Sequence, residues 1–200
     1  MKLRHSPTSP YVRKVMVVAK ETGMDGRIQT VETKLGPDSD ILQQNPLGKV
    51  PTMILDDGSV IFDSPVICEY VDSLAKGAKM FPPAGPARWK ALAMQALGDG
   101  LMDASLARRG EMMRPADKQS PDALAKQAGV MARALDMLEK RAAELEGPIT
   151  IGQITVGCAL GYLDLRFADD QWRKTRPKLA AWFEKFSKRP SMASTAPPPA

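Results

Sequence analysis

The hydrophobic pattern of the chain changes character near residue 77. Before that point, short β-prone runs alternate with helical stripes. Lys2 to His5 predict a first strand, although Arg4 and His5 make it less apolar than a core strand usually is. The turn Ser6-Pro7-Thr8-Ser9-Pro10 follows, and then Val12, Val15, Met16 and Ala19 fall at helical spacing. Ser9 stands where an N-cap belongs, Pro10 suits the first helical position, and Gly23 stops the helix. Ile28 to Thr33 predict a weak second strand, and Lys34 to Gln44 a loop or ragged helix. Thr52 to Leu55 and Val60 to Phe62 are β-prone runs on either side of Asp57-Gly58. That pair predicts a type I′ hairpin, whose two central residues both need positive φ. Finally Ile67, Tyr70, Val71 and Leu74 recur at i, i+3, i+4 and i+7, one face of a helix opened by Asp63-Ser64-Pro65, with Ser64 as its cap.

Beyond this β-α-β-loop-β-β-α order the pattern is helical throughout. Gly77 to Ala87, GAKMFPPAGPA, reads as a linker because proline and glycine cluster where the period changes. A long helix from about Pro86 to Met113 is expected to turn Trp89, Leu92, Ala93, Ala96 and Leu97 inward. Ser120-Pro121-Asp122 opens the next, with Leu124, Ala128, Met131, Leu135 and Leu138 on one stripe. Gln153 to Phe167 carry Gly157, Cys158 and Gly161, small enough for close helix approach. Leu179, Trp182, Phe183 and Phe186 mark a last helix, and the tail STAPPPA is expected to be ordered only where it docks. The reading gives an α/β domain at residues 1–78, a linker at 79–86 and an all-helical domain at 87–200.

Composition narrows the function classes. The 200 residues include 44% hydrophobic and 26% charged side chains, ordinary for a globular protein. No run approaches the ~20 apolar residues of a membrane span, and the first ten residues lack the apolar core of a secretory signal. Cys68 and Cys158 give neither a disulfide framework nor a zinc spacing, so a reducing, cytoplasmic compartment without a metal is expected. The net charge of +5 is scattered; its densest group, Arg173, Lys174, Arg176 and Lys178, has no interleaved stacking platform, which argues against nucleic acid. His5, the one histidine, has no partner at catalytic spacing and reads as a strand residue.

The phrases SPTSPYVRKV, NPLGKVP, FDSPVICEYVD and GCALGYLDLRF resemble the glutathione S-transferase family, most of all its bacterial serine-type branch. The resemblance covers essentially the whole chain. It implies a thioredoxin-like first domain followed by an all-α domain, a homodimer, and glutathione as co-substrate. Val50-Pro51 would then be the step to a cis proline, whose preceding backbone pairs with an extended peptide. Asp63 and Ser64 would hold the γ-glutamyl end, the helix N-terminus and Ser64 taking its carboxylate and Asp63 its ammonium. Lys34 or Lys49 would reach the glycyl carboxylate. Tyr11, Met102, Ser105, Arg109 and Met112 would line the pocket for a small apolar electrophile in a detoxifying conjugation.

Conjugation needs glutathione as a thiolate, and Ser9 is the candidate to stabilise it: a hydroxyl donor at a helix start. The plain alternative is that Ser9-Pro10 only starts a helix, since Ser64-Pro65 and Ser120-Pro121 repeat the dipeptide. Arg13, one turn on, adds positive potential there or forms a surface ion pair. Serine instead of cysteine at that turn disfavours disulfide exchange, and a reductase would have to use Cys68. The alternative functions are a glutathione-binding scaffold without catalysis and a weak glutathione-dependent peroxidase or reductase. Thr150-Ile151-Gly152-Gln153 resembles the family's helix capping box with glutamine in place of the acid.

Overall fold

The structure is a computed structural model and describes residues 1–198. In chain order the regular elements are β1 (Lys2–His5), α1 (Pro10–Glu21), β2 (Gln29–Glu32), β3 (Thr52–Ile54), β4 (Val60–Ile61), α2 (Ser64–Leu74), α3 (Gly85–Met112), α4 (Pro121–Lys140), α5 (Ile151–Arg166), α6 (Trp172–Thr175), α7 (Pro177–Phe186) and α8 (Pro190–Ala193). They form two compact units, Met1–Arg88 with residues 190–198, and Trp89–Arg189.

The first unit is a four-stranded mixed sheet of order β2-β1-β3-β4 with helices packed on it. β1 and β2 are parallel, Leu3 opposite Thr30, joined through α1. β3 runs antiparallel to both its neighbours, with Leu3 opposite Met53 and Met53 opposite Ile61. Leu3, Met53, Val15, Val18, Ile67 and Val71 are all solvent-free and make the core. Each such side chain contributes about 1.5–3 kcal/mol by leaving water.

Arg4 explains how a charged residue survives on the inner strand. Its guanidinium donates from Nε to Thr33 Oγ1 at 2.8 Å and from Nη1 to Asp40 Oδ2 at 3.0 Å. The second Asp40 oxygen takes Nη2. The Arg4 hydrogen bond also holds the Asp40 carboxyl below its ordinary range. The polar stretch after β2, with its 3-10 turn at Asp40–Gln43, is thereby tied to the sheet.

The hairpin differs from the predicted type I′ turn. Only Gly58 has positive φ, at 85°, and its N–H donates to Leu55 C=O at 3.1 Å. Asp56 and Asp57 are thus the central residues of the turn, and Gly58 is the left-handed residue after it. Asp57 keeps an ordinary backbone because its carboxylate accepts from Ser59 N at 2.9 Å.

In the helical unit α5 is apolar on every side and buried over most of its length, the signature of a central helix. Close approach is made at Gly98 and Gly152. A Cβ on Gly98 would lie 2.8 Å from Thr155 Cγ2, and one on Gly152 2.8 Å from Met94 Cβ. These contacts settle the facing of α3: Ala91, Met94, Gln95, Gly98 and Leu101 are buried. Ala93 and Ala96 are exposed, Leu92 and Leu97 only partly covered, and Trp89 is 68% exposed, so the inward stripe is rotated from the expected one. α7 buries Leu179, Trp182, Phe183 and Phe186 as the spacing predicts, with Trp182 stacked on Phe186 at 4.7 Å.

Residues 190–198 group with the first unit, and the last two residues of the STAPPPA tail lie outside the described residues. Met192 is fully buried there, Arg13 Nη2 donates to its carbonyl at 3.0 Å, and Ser191 Oγ donates to Glu21.

Candidate active site

The sheet register determines which loops meet. β1 and β2 end side by side, His5 opposite Glu32, and Thr33 N extends the pairing to His5 C=O at 2.8 Å. β3 begins at that same end, since Arg4 pairs with Thr52, and β4 finishes there, since Ile61 pairs with Met53. One edge of the sheet therefore carries the turn into α1 with Ser9, Lys34 after β2, Val50-Pro51 before β3, and Asp63-Ser64 after β4. Two helix N-termini, those of α1 and α2, open on it.

Ser9 is the N-cap of α1, in extended backbone with φ −75° and ψ 121°. Its Oγ accepts from Val12 N at 3.3 Å, and its own N–H donates to Ser6 C=O at 3.1 Å. A hydroxyl has one proton and two acceptor positions, so capping leaves the proton available to a ligand. Pro10 occupies the first helical position, and the first turn holds no acidic residue. The positive end of the α1 dipole is therefore uncompensated at Ser9. Arg13, one turn further, donates from Nη2 to the Met192 carbonyl at 3.0 Å.

The Val50-Pro51 peptide bond is cis. Among the described residues, neither the N–H nor the C=O of Val50 is taken by another backbone group. The loop that presents it is fixed by a residue the sequence reading passed over. Asn45, almost fully buried, donates from Nδ2 to Lys49 C=O at 3.1 Å and to Thr52 Oγ1 at 2.9 Å. Its Oδ1 accepts from Leu47 N at 2.9 Å. Thr52 Oγ1 in turn donates to Lys49 C=O at 2.9 Å. The available signal was Asn45-Pro46 itself, since Asn before Pro commonly starts a turn closed by its own side chain.

At the α2 end the expected cap is corrected. Asp63 is the N-cap and Ser64 the first helical residue, because the chain turns into the helix one residue earlier than the Ser-Pro pattern suggests. Asp63 is exposed and makes no capping bond with its side chain, while Ser64 is buried. Lys34 and Lys49 are both exposed at this edge. Tyr11, on the first turn of α1, is partly exposed.

The remaining candidates lie in the helical unit. Met102 and Ser105 are fully buried, and Ser105 Oγ donates to Leu101 C=O at 2.7 Å, so both are core positions of α3 rather than a free lining. The observed facing of α3 turns both side chains inward. Arg109 is partly exposed and Met112 exposed. Both cysteines are buried, in keeping with packing roles.

Residues 8–74 match the family model for the glutathione S-transferase N-terminal domain, and residues 121–185 that for the C-terminal domain. An uncharacterized GST-like protein of Escherichia coli, YibF, is 36% identical over the full length of both chains. The chain belongs to the glutathione S-transferase family. A solved glutathione transferase family member from Pseudomonas fluorescens Pf-5, with bound glutathione, superposes with a TM-score of 0.95 at 45% identity, covering 98% of each chain. A structure from the same organism with bound S-(propanoic acid)-glutathione gives 0.92 at 45% identity, covering 99% of this chain and 100% of that one. The glutathione transferase fold is thus established for both units, and the N-terminal match contains Ser9, Val50-Pro51 and Asp63-Ser64. Among the described residues no helix is long and apolar enough to cross a membrane.

Proposed function

We propose that this chain is a glutathione transferase that binds glutathione at the sheet edge of its first unit, stabilises the thiolate through Ser9, and conjugates it to a small electrophile. The observation that carries the reading is the state of Ser9: a capping oxygen whose proton is uncommitted, at a helix N-terminus without an acidic residue. The γ-glutamyl carboxylate meets the N-terminus of α2 at Ser64, its ammonium meets the exposed Asp63, and the peptide backbone pairs with Val50. Lys34 or Lys49 takes the glycyl carboxylate. The protein works as a homodimer, as the family resemblance implies.

The energetics are adequate. A free thiol has a pKa near ~8.5, and lowering it to about 6.5 takes roughly 2.7 kcal/mol. A helix N-terminus supplies about 0.3–1 kcal/mol, up to ~2 when partly buried. A hydrogen bond to the charged sulfur supplies about 1.5–3 kcal/mol. Together they reach the required figure, whereas the helix alone falls short of it. Bound glutathione found in a relative at 45% identity supports the ligand.

The test is calorimetric binding of glutathione followed by conjugation with 1-chloro-2,4-dinitrobenzene, in which the sulfur displaces chloride from the ring. Wild type is expected to bind and conjugate, and Ser9→Ala to bind while losing roughly tenfold or more in kcat/KM, the loss of one charged hydrogen bond. Binding with no conjugation by wild type would reduce the reading to a glutathione-binding scaffold. Absence of binding would end it.

A further inference from the structure

The chain between β2 and β3 carries both lysines offered to the glycyl carboxylate, and its first half has little apolar burial to hold it in place. Residues 34–38 and Asp40 are exposed and Ser39 is partly exposed. After Thr33, Ile41 is the next side chain to be fully buried. A stretch with so few buried contacts keeps one shape only where polar ties fix it.

One side chain supplies those ties. Arg4 stands on β1, opposite Val31 of β2 on one side and Thr52 of β3 on the other, and is only 5% exposed. Its Nε donates to Thr33 Oγ1 at 2.8 Å and its Nη1 to Asp40 Oδ2 at 3.0 Å, with Nη2 on the other Asp40 oxygen. Nη1 also donates to Gln44 Oε1 at 3.4 Å. Thr33 and Asp40 bracket the exposed stretch that bears Lys34, and Gln44 precedes Asn45, which holds the Lys49 carbonyl. Only a planar guanidinium spans a carboxylate and a hydroxyl in this way; a lysine ammonium is a point charge without the fork. In sequence Arg4 merely weakened the first strand, because its partners lie 29, 36 and 40 residues away.

We propose that Arg4 is a positioning residue for glutathione: through Thr33, Asp40 and Gln44 it holds the segment after β2 in the shape that meets the glycyl carboxylate. The inference rests on the glutathione reading of the first unit and deepens it, since it names what sets the strength of one subsite. A segment already fixed loses less conformational freedom when the ligand arrives. Arg4 therefore acts on the grip at the glycyl end and not on the sulfur at Ser9.

The test compares two ligands that differ in one charge. Calorimetry on the full chain measures glutathione against its glycyl monoethyl ester, in which that carboxylate is masked. Wild type is expected to favour glutathione about tenfold or more, the contribution of one charged hydrogen bond. Asp40→Asn changes a side chain that is 70% exposed, and Arg4→Lys keeps the charge without the fork. Each is expected to lower the preference by about threefold or more, and Asp40→Glu, which keeps a carboxylate, to lower it less than Asp40→Asn. A variant that was merely less folded would bind both ligands more weakly by the same factor and leave their ratio as in wild type. A ratio unchanged in Asp40→Asn overturns the inference, and so does a wild type that binds the two ligands alike; glutathione binding stands in both cases. If glutathione itself fails to bind, the glutathione reading falls and the inference falls with it.

Discussion

Gln153 shows what a single side chain does when it departs from the pattern of its family. In the capping box of α5 its Oε1 accepts from Thr150 N at 3.0 Å, as an acid would. Its Nε2 also donates to Pro148 C=O at 3.0 Å, which no carboxylate does. The glutamine therefore exchanges a charge–dipole gain of about 0.3–1 kcal/mol for a second, largely buried hydrogen bond. Gln153→Asp, which brings back the acid, is expected to lower stability by about 1 kcal/mol in urea titration; a rise would mean the dipole dominates. Glu144 behaves in the opposite sense. Hydrogen bonds from Arg141 first and Lys90 second lower its pKa from the ordinary 4.5 to about 2. A carboxyl lowered by folding stabilises above its unfolded pKa and loses that contribution as pH falls through the folded one. The acid limb of stability between pH 4.5 and 2 should accordingly be shallower in Glu144→Gln than in wild type. Identical limbs would show that the ion pairs do not couple to folding.

Among elements, those with a pattern of their own were readable, and those defined by a neighbour were not. α1, α4 and α7 carry a cap, a stripe or both, and their boundaries lie close to where the residues predict them. The hairpin position was legible from Asp57-Gly58, but not its turn type, which depends on how the Asp57 carboxylate folds back to Ser59. The facing of α3 was illegible because alanines, methionines and glycines occur all round it. What selects its buried side is α5, whose Thr155 and Val156 backbone approaches Gly98. A Cβ at Gly98 would stand 3.1 Å from Thr155 C and Val156 N as well as 2.8 Å from Thr155 Cγ2. Gly98→Ala is therefore expected to cost about 1–3 kcal/mol despite the better helix propensity of alanine. A thermal midpoint unchanged or raised would contradict this packing.

For the whole molecule, the sheet edge proposed here to bind glutathione could be assembled from the order of elements alone: β-α-β-β-β-α determines which loops share an end of the sheet. Asn45 and Thr52, which hold the loop of the cis proline, were hidden because their partners are backbone groups. Equally hidden was the packing of residues 190–198 on the first unit, since no pattern within so short a segment says where it docks. Met192, fully buried in that return, is expected to cost about 2–5 kcal/mol when changed to alanine, read as a loss in the urea midpoint. A cost near zero would mean that the segment is not part of the folded first unit.

The central claim is that Ser9 and the α1 N-terminus make the glutathione sulfur a thiolate. The measurement that meets it most directly is the ultraviolet thiolate band of bound glutathione against pH, in wild type and in Ser9→Ala. The account predicts an apparent pKa near ~6.5 in wild type, returning most of the way to the free value of ~8.5 in the variant. Bound glutathione that titrates near ~8.5 in both proteins would contradict it.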